Sequence, residues 1–351
     1  MKFIELFAGI GGFRYGLEKA NKMFQFTTEK SEQTKSEIQF RGKWTSMERR
    51  RNNILFGSEQ SDGYRCVYAN EWDKYAAKIY EKNFGEKPDT RDITTVGADE
   101  IPDHDLLTAG FPCQAFSIAG KRKGFNDTRG TLFFEIGRIL RHKKPGYFIL
   151  ENVGGLLSHD EGRTFEIIII SLNELGYDVQ WQVHNSKNWV PQSRERMFII
   201  GHIRGERRPE IFPFREGNSQ NDKMEKQYIA KTIKAGDYKL PGDLQLISYA
   251  IDSNYYKGTS YRDFKEKHRR QLIVRDGRDN RSCLRSGRTP EIGIKGLSIR
   301  RLTPIECERI QGFPDNWTEG VSDRQRYICL GNAVTTNVIT EIGKRLLSET
   351  K

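Results

Sequence analysis

The string GFPCQAFS, Gly110 to Ser117, sets a cysteine between a proline and a glutamine in a glycine-led loop that follows the run Leu106-Leu107-Thr108-Ala109. A thiol displayed at the carboxyl end of a strand is placed for nucleophilic attack, whereas most free cysteines are small, inert hydrophobes. At its reference pKa of ~8.5 a thiol is only partly ionised, so neighbouring cations would help to hold Cys113 as thiolate. Lys121, Arg122, Lys123 and Arg129 follow in the same loop region, and Arg194 and Arg196 come later. Glu151 follows Tyr147-Phe148-Ile149-Leu150, where desolvation would disfavour its charged form and make it a proton donor; the alternative is a salt-bridged carboxylate at a strand end. Arg194 and Arg196 alternate, so in an extended segment both point to one face. They suit recognition of planar acceptors and phosphates, or else form an exposed charged strand edge.

A second candidate is FAGIGG, Phe7 to Gly12, after a short apolar strand and before a helix. Glycine lets the backbone turn tightly and approach a ligand, and the helix N-terminus offers free N–H groups. The spacing falls short of a full GxGxxG, so a purely structural turn stays open. A carboxylate at the end of the second strand would accept hydrogen bonds from a ribose, and Glu71 occupies that place. Trp72 beside it could stack on an adenine or be a buried tryptophan. Asp92 could accept an adenine amino group or be a surface turn residue.

The elements that must position these groups alternate between strand and helix, the pattern of a doubly wound, mostly parallel α/β sheet with helices on both faces. Strands are predicted at Lys2 to Phe7, Cys66 to Asn70, Asp105 to Ala109, Tyr147 to Leu150, Val179 to Val183 and Met197 to Ile203. Helices are predicted around Tyr15 to Ala20 and through Tyr75, Ala76, Ile79 and Tyr80. Residues 22–63, polar and carrying Glu48-Arg49-Arg50-Arg51, interrupt the pattern as an insertion. Lying between a helix and the next strand, the insertion sits away from the carboxyl ends of the strands, as a surface insert or an extra polyanion contact. Residues 204–296 lack sustained periodicity and form a second, smaller lobe. Thr303-Pro304-Ile305-Glu306 supplies an N-cap, a proline at the first helical position and a capping-box glutamate. Val338 to Leu347 is a final amphipathic helix. The expected organisation is therefore 1–203, then the lobe 204–296, then a return to the first domain over 297–351.

The totals narrow the class. Of 351 residues, 36% are hydrophobic and 30% charged, and no apolar run nears the ~20 residues of a membrane span. Met1 to Phe7 reads as a strand rather than an export signal, which points to the cytoplasm. Five scattered cysteines without zinc spacing argue against disulfides and against a metal. The net charge is +11, and residues 201–300 hold 22 Lys/Arg against 13 Asp/Glu, so a polyanion-binding face is expected in the lobe.

Together the motifs resemble the prokaryotic DNA cytosine-5 methyltransferase family of restriction-modification systems. FAGIGG resembles its cofactor loop, with Phe7, Ala8, Gly9, Gly11 and Gly12 implied as contacts. Ala69 to Trp72 (ANEW) and Asp92-Ile93 resemble its adenosine contacts, and the resemblance adds Leu132 and, near the methionine end, Asn332. GFPCQ resembles the nucleophile loop, with Pro112, Cys113 and Gln114. Glu151-Asn152-Val153 resembles the catalytic carboxylate motif, and Gln192-Ser193-Arg194-Glu195-Arg196 the paired-arginine motif. Arg301-Leu302-Thr303-Pro304, Ile310 to Asp315 (IQGFPD) and Gly331-Asn332-Ala333-Val334 resemble the closing motifs. The match covers the chain apart from residues 22–63 and the variable lobe.

The resemblance implies transfer of a methyl group from S-adenosylmethionine to cytosine C5, through attack of Cys113 on C6 while Glu151 serves N3. Arg196 would contact the cytosine O2, and Arg194 a phosphate or the cysteine loop. The target lies inside a duplex, so it must be flipped out, and residues 114–131 would close over it. Ser117, Arg129 and Gln192 would contact double-stranded DNA, with Arg269, Arg270, Arg275, Arg278, Arg281 and Arg285 in the lobe holding phosphates or reading bases. A monomer is implied, acting beside a restriction endonuclease without a stable complex. Two places depart from the family pattern: Ser282-Cys283-Leu284 stands where a Thr followed by an aliphatic residue is usual, and Arg91 where glycine is common. Three other readings are an RNA cytosine-5 methyltransferase, a non-enzymatic DNA-binding protein on the same scaffold, and a nicotinamide-dependent oxidoreductase. The GFPCQ loop and the basic lobe favour duplex DNA over RNA, the intact Cys113, Glu151 and arginine pair favour an enzyme, and the glycine spacing does not serve hydride transfer.

Overall fold

A computed structural model describes residues 1–22, 63–112, 132–205, 211–212 and 302–348 with their side chains, and the backbone of three short strands at 248–249, 273–276 and 297–300. Each apolar run of the first half became a strand: β1 (Lys2–Leu6), β2 (Arg65–Asn70), β3 (Leu106–Gly110), β4 (Tyr147–Val153) and β5 (Tyr177–Asn185). They are followed by β6 (Gln192–Ser193) and β7 (Glu195–Ile203). Six of them form one sheet in the order β2-β1-β3-β4-β7-β5. The pairs among the first four are parallel, whereas β7 is antiparallel to both its neighbours, so it alone is reversed. The fold is the expected mostly parallel, doubly wound α/β sheet.

Side chains alternate across the sheet and feed two cores. One, with Leu107, Ala109, Phe148 and Leu150, lies under α3 (Leu132–Lys143) and α4 (Arg163–Glu174) through Ile136, Leu140 and Ile168. The other, with Phe3, Leu106, Ile149, Phe198 and Ile200, lies under α1, residues 12–22, and the C-terminal helix. α2 (Lys74–Phe84) starts at Asp73, whose carboxylate accepts from the Tyr75 and Ala76 N–H groups, and stops at Gly85 in the left-handed conformation. It buries Ala76, Ala77, Ile79 and Tyr80.

Three further strands, β8 (Ser248–Tyr249), β9 (Ile273–Asp276) and β10 (Leu297–Arg300), form small ladders: β8 pairs parallel with β6, and β9 antiparallel with β10. The C-terminal part returns to the sheet as α5 (Pro304–Ile310), α6 (Asp323–Asn332) and α7 (Thr336–Glu349). The capping box at Thr303 and Glu306 forms as its sequence implies. α7 packs on α1 at close range, where a Cβ on Gly16 would lie 2.6 Å from Ile339 Cβ. The Thr340 hydroxyl donates to the Gly16 carbonyl. Residues near both ends of the sequence therefore share one core.

Two boundaries are sharper than the sequence could make them. Asn21 and Tyr64 exchange hydrogen bonds of 2.9 and 2.7 Å, so the chain leaves and re-enters the fold at one point on either side of the interruption. Beyond 203, where the second lobe was expected to begin, Ile211 and Phe212 are still buried in the core under α7. Arg345 donates to the Ile211 carbonyl at 2.7 Å, and the Ile211 N–H reaches Gln180 Oε1 at 3.2 Å. The packing of the sheet domain thus extends past residue 203. No described helix is long and apolar enough to cross a membrane.

Candidate active site

The glycine turn sits at the carboxyl end of β1. Phe7, Gly9 and Gly11 all have positive φ, of 53°, 56° and 81°. The turn closes through the Gly11 N–H to the Ala8 carbonyl, and the Ala8 N–H bonds the end of β2 at Asn70. Glu71, 6% exposed, accepts the Gly9 N–H at 2.7 Å on one oxygen and the Asp73 N–H at 2.8 Å on the other. Burial raises its pKa against the pull of those two donors. A Cβ built on Gly9 meets nothing within 4 Å, so open space adjoins the turn. Gly12 is closed in instead, with Val334 at 2.7 Å.

The other expected contacts differ in exposure. Trp72 is 74% exposed, which excludes the buried-tryptophan reading and leaves an indole face free of core packing. Asp92 is exposed and caps a 3-10 turn over Ile93–Thr95; the Thr94 N–H and hydroxyl hold its carboxyl below the usual range. Ile93 itself is buried, as a floor rather than a wall. Leu132 opens α3 half-buried against the same core, and Asn332 is exposed at the end of α6 between buried Gly331 and Ala333.

The second centre forms where β3, β4 and β7 meet. Gly110 pairs with Glu151 across β3 and β4, and a Cβ on Gly110 would lie 3.5 Å from Glu151 Oε2. Because β7 is reversed, its first residues lie beside the last residues of β4, and Val153 is in register with Arg196. The Arg196 Nε stands 3.0 Å from Glu151 Oε1, with side chains 19% and 11% exposed. The ion pair named as the alternative for Glu151 therefore exists, and its partner is the arginine expected at the base.

Asn152, buried, donates to the Phe111 carbonyl at 3.0 Å and so fixes the chain two residues before Cys113. Phe111 packs on Phe133 and Pro112 is exposed. Cys113, Gln114, Ser117 and Arg129 lie outside the described residues, as do Arg269, Arg270, Arg278, Arg281 and Arg285; Arg275 is described only as backbone of β9.

Arg194 is held from inside the fold. It is 2% exposed, and its Nη2 donates to the carbonyls of Gly331 and Ala333 at 3.0 and 2.9 Å. The cause is a distant segment: residues 331–333, at the end of α6, cover Arg194, while Arg196 at the start of β7 meets Glu151. Gln192 is fully buried at the pairing of β6 with β8.

Residues that the sequence reading left without a role also support the site. Gln311 donates to the Leu330 carbonyl and accepts from Thr335, whose hydroxyl also meets Ser186. Trp317 donates to the carbonyl of Ile10 inside the glycine turn. The only signal for them was the IQGFPD string and the tryptophan two residues beyond it.

The profile of the C-5 cytosine-specific DNA methylase family matches residues 52–348. The chain belongs to that family. Its activity is accordingly that of a DNA (cytosine-5-)-methyltransferase. Among relatives of this methylase, the Type II methyltransferase M.SsoII of Shigella sonnei is 40% identical over 301 residues, covering 83% of this chain and 76% of that protein. M.HhaI of Haemophilus parahaemolyticus is 36% identical over 360 residues, covering 97% and 93%. Among solved structures, the S. pombe Dnmt2 methyltransferase aligns over 99% of this chain and 98% of its own with a TM-score of 0.62 at 19% identity. The Entamoeba histolytica methyltransferase EhMeth aligns over 100% and 99% with a TM-score of 0.59 at 21% identity. These two likenesses speak to the fold alone.

Proposed function

We propose that the protein transfers a methyl group from S-adenosylmethionine to C5 of a cytosine flipped out of duplex DNA, as the modification enzyme of a restriction-modification system. The observation that carries this reading is the Glu151–Arg196 pair beside Gly110, three residues before Cys113. The Cys113 thiolate adds to C6 of the pyrimidine while Glu151, released from Arg196 by the entering base and protonated from solvent, passes that proton to N3, which turns the ring into an enamine with a nucleophilic C5. Arg196 holds O2, its guanidinium kept in place by Glu151 until the base enters. After methylation a base removes the C5 proton and the thiolate leaves. Asn152 positions the cysteine loop through Phe111, and Arg194 positions the segment bearing Asn332.

The residues around the glycine turn fit the methyl donor. Open space adjoins Gly9, Glu71 is a carboxylate at the end of β2, Trp72 presents a bare indole, and Asp92 offers an acceptor at the rim. When bound, the donor supplies an electrophilic methyl group. Residues 204–296, with their excess of arginine and lysine, hold the duplex through phosphates and read its bases. The family supports DNA as substrate; a monomer acting beside a separate endonuclease belongs to the same proposal.

Cys113→Ser should abolish methyl incorporation into duplex DNA while DNA and cofactor binding persist. Duplex DNA carrying 5-fluorocytosine should trap the unaltered protein covalently and leave the variant free. Near-normal methylation by the variant would overturn the reading. Bisulfite sequencing of DNA from expressing cells identifies the target, and parallel incorporation assays on tRNA test substrate class.

A further inference from the structure

Trp317 lies between α5 and α6, 307 residues from the turn it touches. Its indole N–H donates to the Ile10 carbonyl at 3.0 Å, and the ring is 7% exposed. The Ile10–Gly11 peptide is the centre of the glycine turn. On its other side the Gly11 N–H returns to Ala8, and the Tyr15 N–H takes the Gly11 carbonyl. The Phe13 and Arg14 N–H groups are taken by Glu5. The carbonyl of Ile10 is thus oriented from outside α1, by the indole.

The same indole belongs to an aromatic bed under the turn. Its ring centroid lies 4.9 Å from Tyr15, 5.2 Å from Phe313 and 5.5 Å from Phe84. Phe84 in turn occupies the space beside Gly11, where a Cβ would come within 2.2 Å of its ring. Trp317 is itself firmly held. Asn83 donates to its carbonyl at 2.9 Å, and the following N–H, of Thr318, bonds Glu308 at 2.8 Å. Glu308 is fully buried and also pairs with Arg326 at 3.0 Å. Packing alone would require a ring at this place; the direction of the N–H toward one carbonyl of the turn is a separate feature.

We infer that Trp317 is a positioning residue for the methyl-donor turn, setting the Gly9–Gly11 backbone through its bond to Ile10 without touching the donor. This rests on the reading of that turn as the donor site. Two variants separate the bond from the packing: Trp317→Phe, and replacement of Trp317 by 3-benzothienylalanine, which keeps the bicyclic shape and lacks the N–H. For each, the Kd of S-adenosylhomocysteine is measured by calorimetry, KM for S-adenosylmethionine and kcat on duplex DNA, and DNA affinity by anisotropy.

Both variants should raise that Kd and KM roughly three- to tenfold, the range of one lost hydrogen bond, with kcat within about twofold and DNA affinity unchanged. A benzothienylalanine protein with unaltered Kd and KM would overturn the inference, as would a fall in kcat at constant KM, the mark of a merely structural role. If the unaltered protein itself failed to bind S-adenosylhomocysteine, the reading of the turn would fall, and the role of Trp317 with it.

Discussion

Replacing Glu5 by Gln tests how burial shapes the turn. Glu5 is inaccessible to solvent; one oxygen accepts the Phe13 and Arg14 N–H groups at 3.1 and 3.4 Å, and the other is buried with no hydrogen-bond partner. Desolvation outweighs those donors and the Arg14 charge, pushing its pKa from 4.5 up to about 8. A folded-state pKa above the unfolded one means that the native protein binds the proton more tightly. The stability contributed is complete below pH 4.5 and is lost as pH rises toward 8. At 1.36 kcal/mol per pH unit, that interval sets a ceiling on the order of 5 kcal/mol.

Glutamine keeps the acceptor and cannot ionise. The difference in unfolding free energy between Glu5→Gln and the unaltered protein, from urea titrations across that window, should therefore shift in favour of the variant as pH rises. Taking the difference removes His104 and His184, whose pKa values burial lowers, to about 4 for His184, and whose contributions run with the opposite sign. A difference that stays flat across the window would refute the argument.

Arg194→Met removes the donor from two carbonyls, and at about 1–3 kcal/mol per buried unsatisfied group it should cost about 2–6 kcal/mol by chemical denaturation; a loss under about 0.5 kcal/mol would mean that Arg194 does not anchor residues 331–333. Gly11→Ala places a Cβ at φ +81° into Phe84, costing about 1–2 kcal/mol for the backbone and about 1–3 for overpacking, read as a lowered Tm. Gly9→Ala puts its Cβ into open space, so it should lower Tm less and weaken S-adenosylhomocysteine binding more. Equal effects of the two alanines on stability and binding would contradict that division.

Much of the site was legible because its signals are local. A glycine turn after a strand, a carboxylate after an apolar run and arginines two residues apart each follow from short-range rules, and the strands and the Thr303 capping box obeyed them. What escaped depends on contacts far apart in the chain. Sequence spacing put Arg194 and Arg196 on one face, but only the return of residues 331–333 decides that one is buried and the other meets Glu151. Trp72 illustrates the converse: hydrophobicity favoured the core, while its place just past the end of β2 left it in solvent. Nothing near Trp317 or Gln311 announces partners in the first turn or in the segment after α6.

The joining of the two chain ends has a consequence for synthesis. Gly12, Gly16 and the Ile10 carbonyl find Val334, Ile339 and Trp317 only after residues 317–339 have left the ribosome. A nascent or prematurely terminated product that ends before residue 317 carries every residue of the cysteine loop and both arginines, yet lacks the support behind its first turn. Support for the first turn therefore arrives 307 residues later in synthesis than the turn itself.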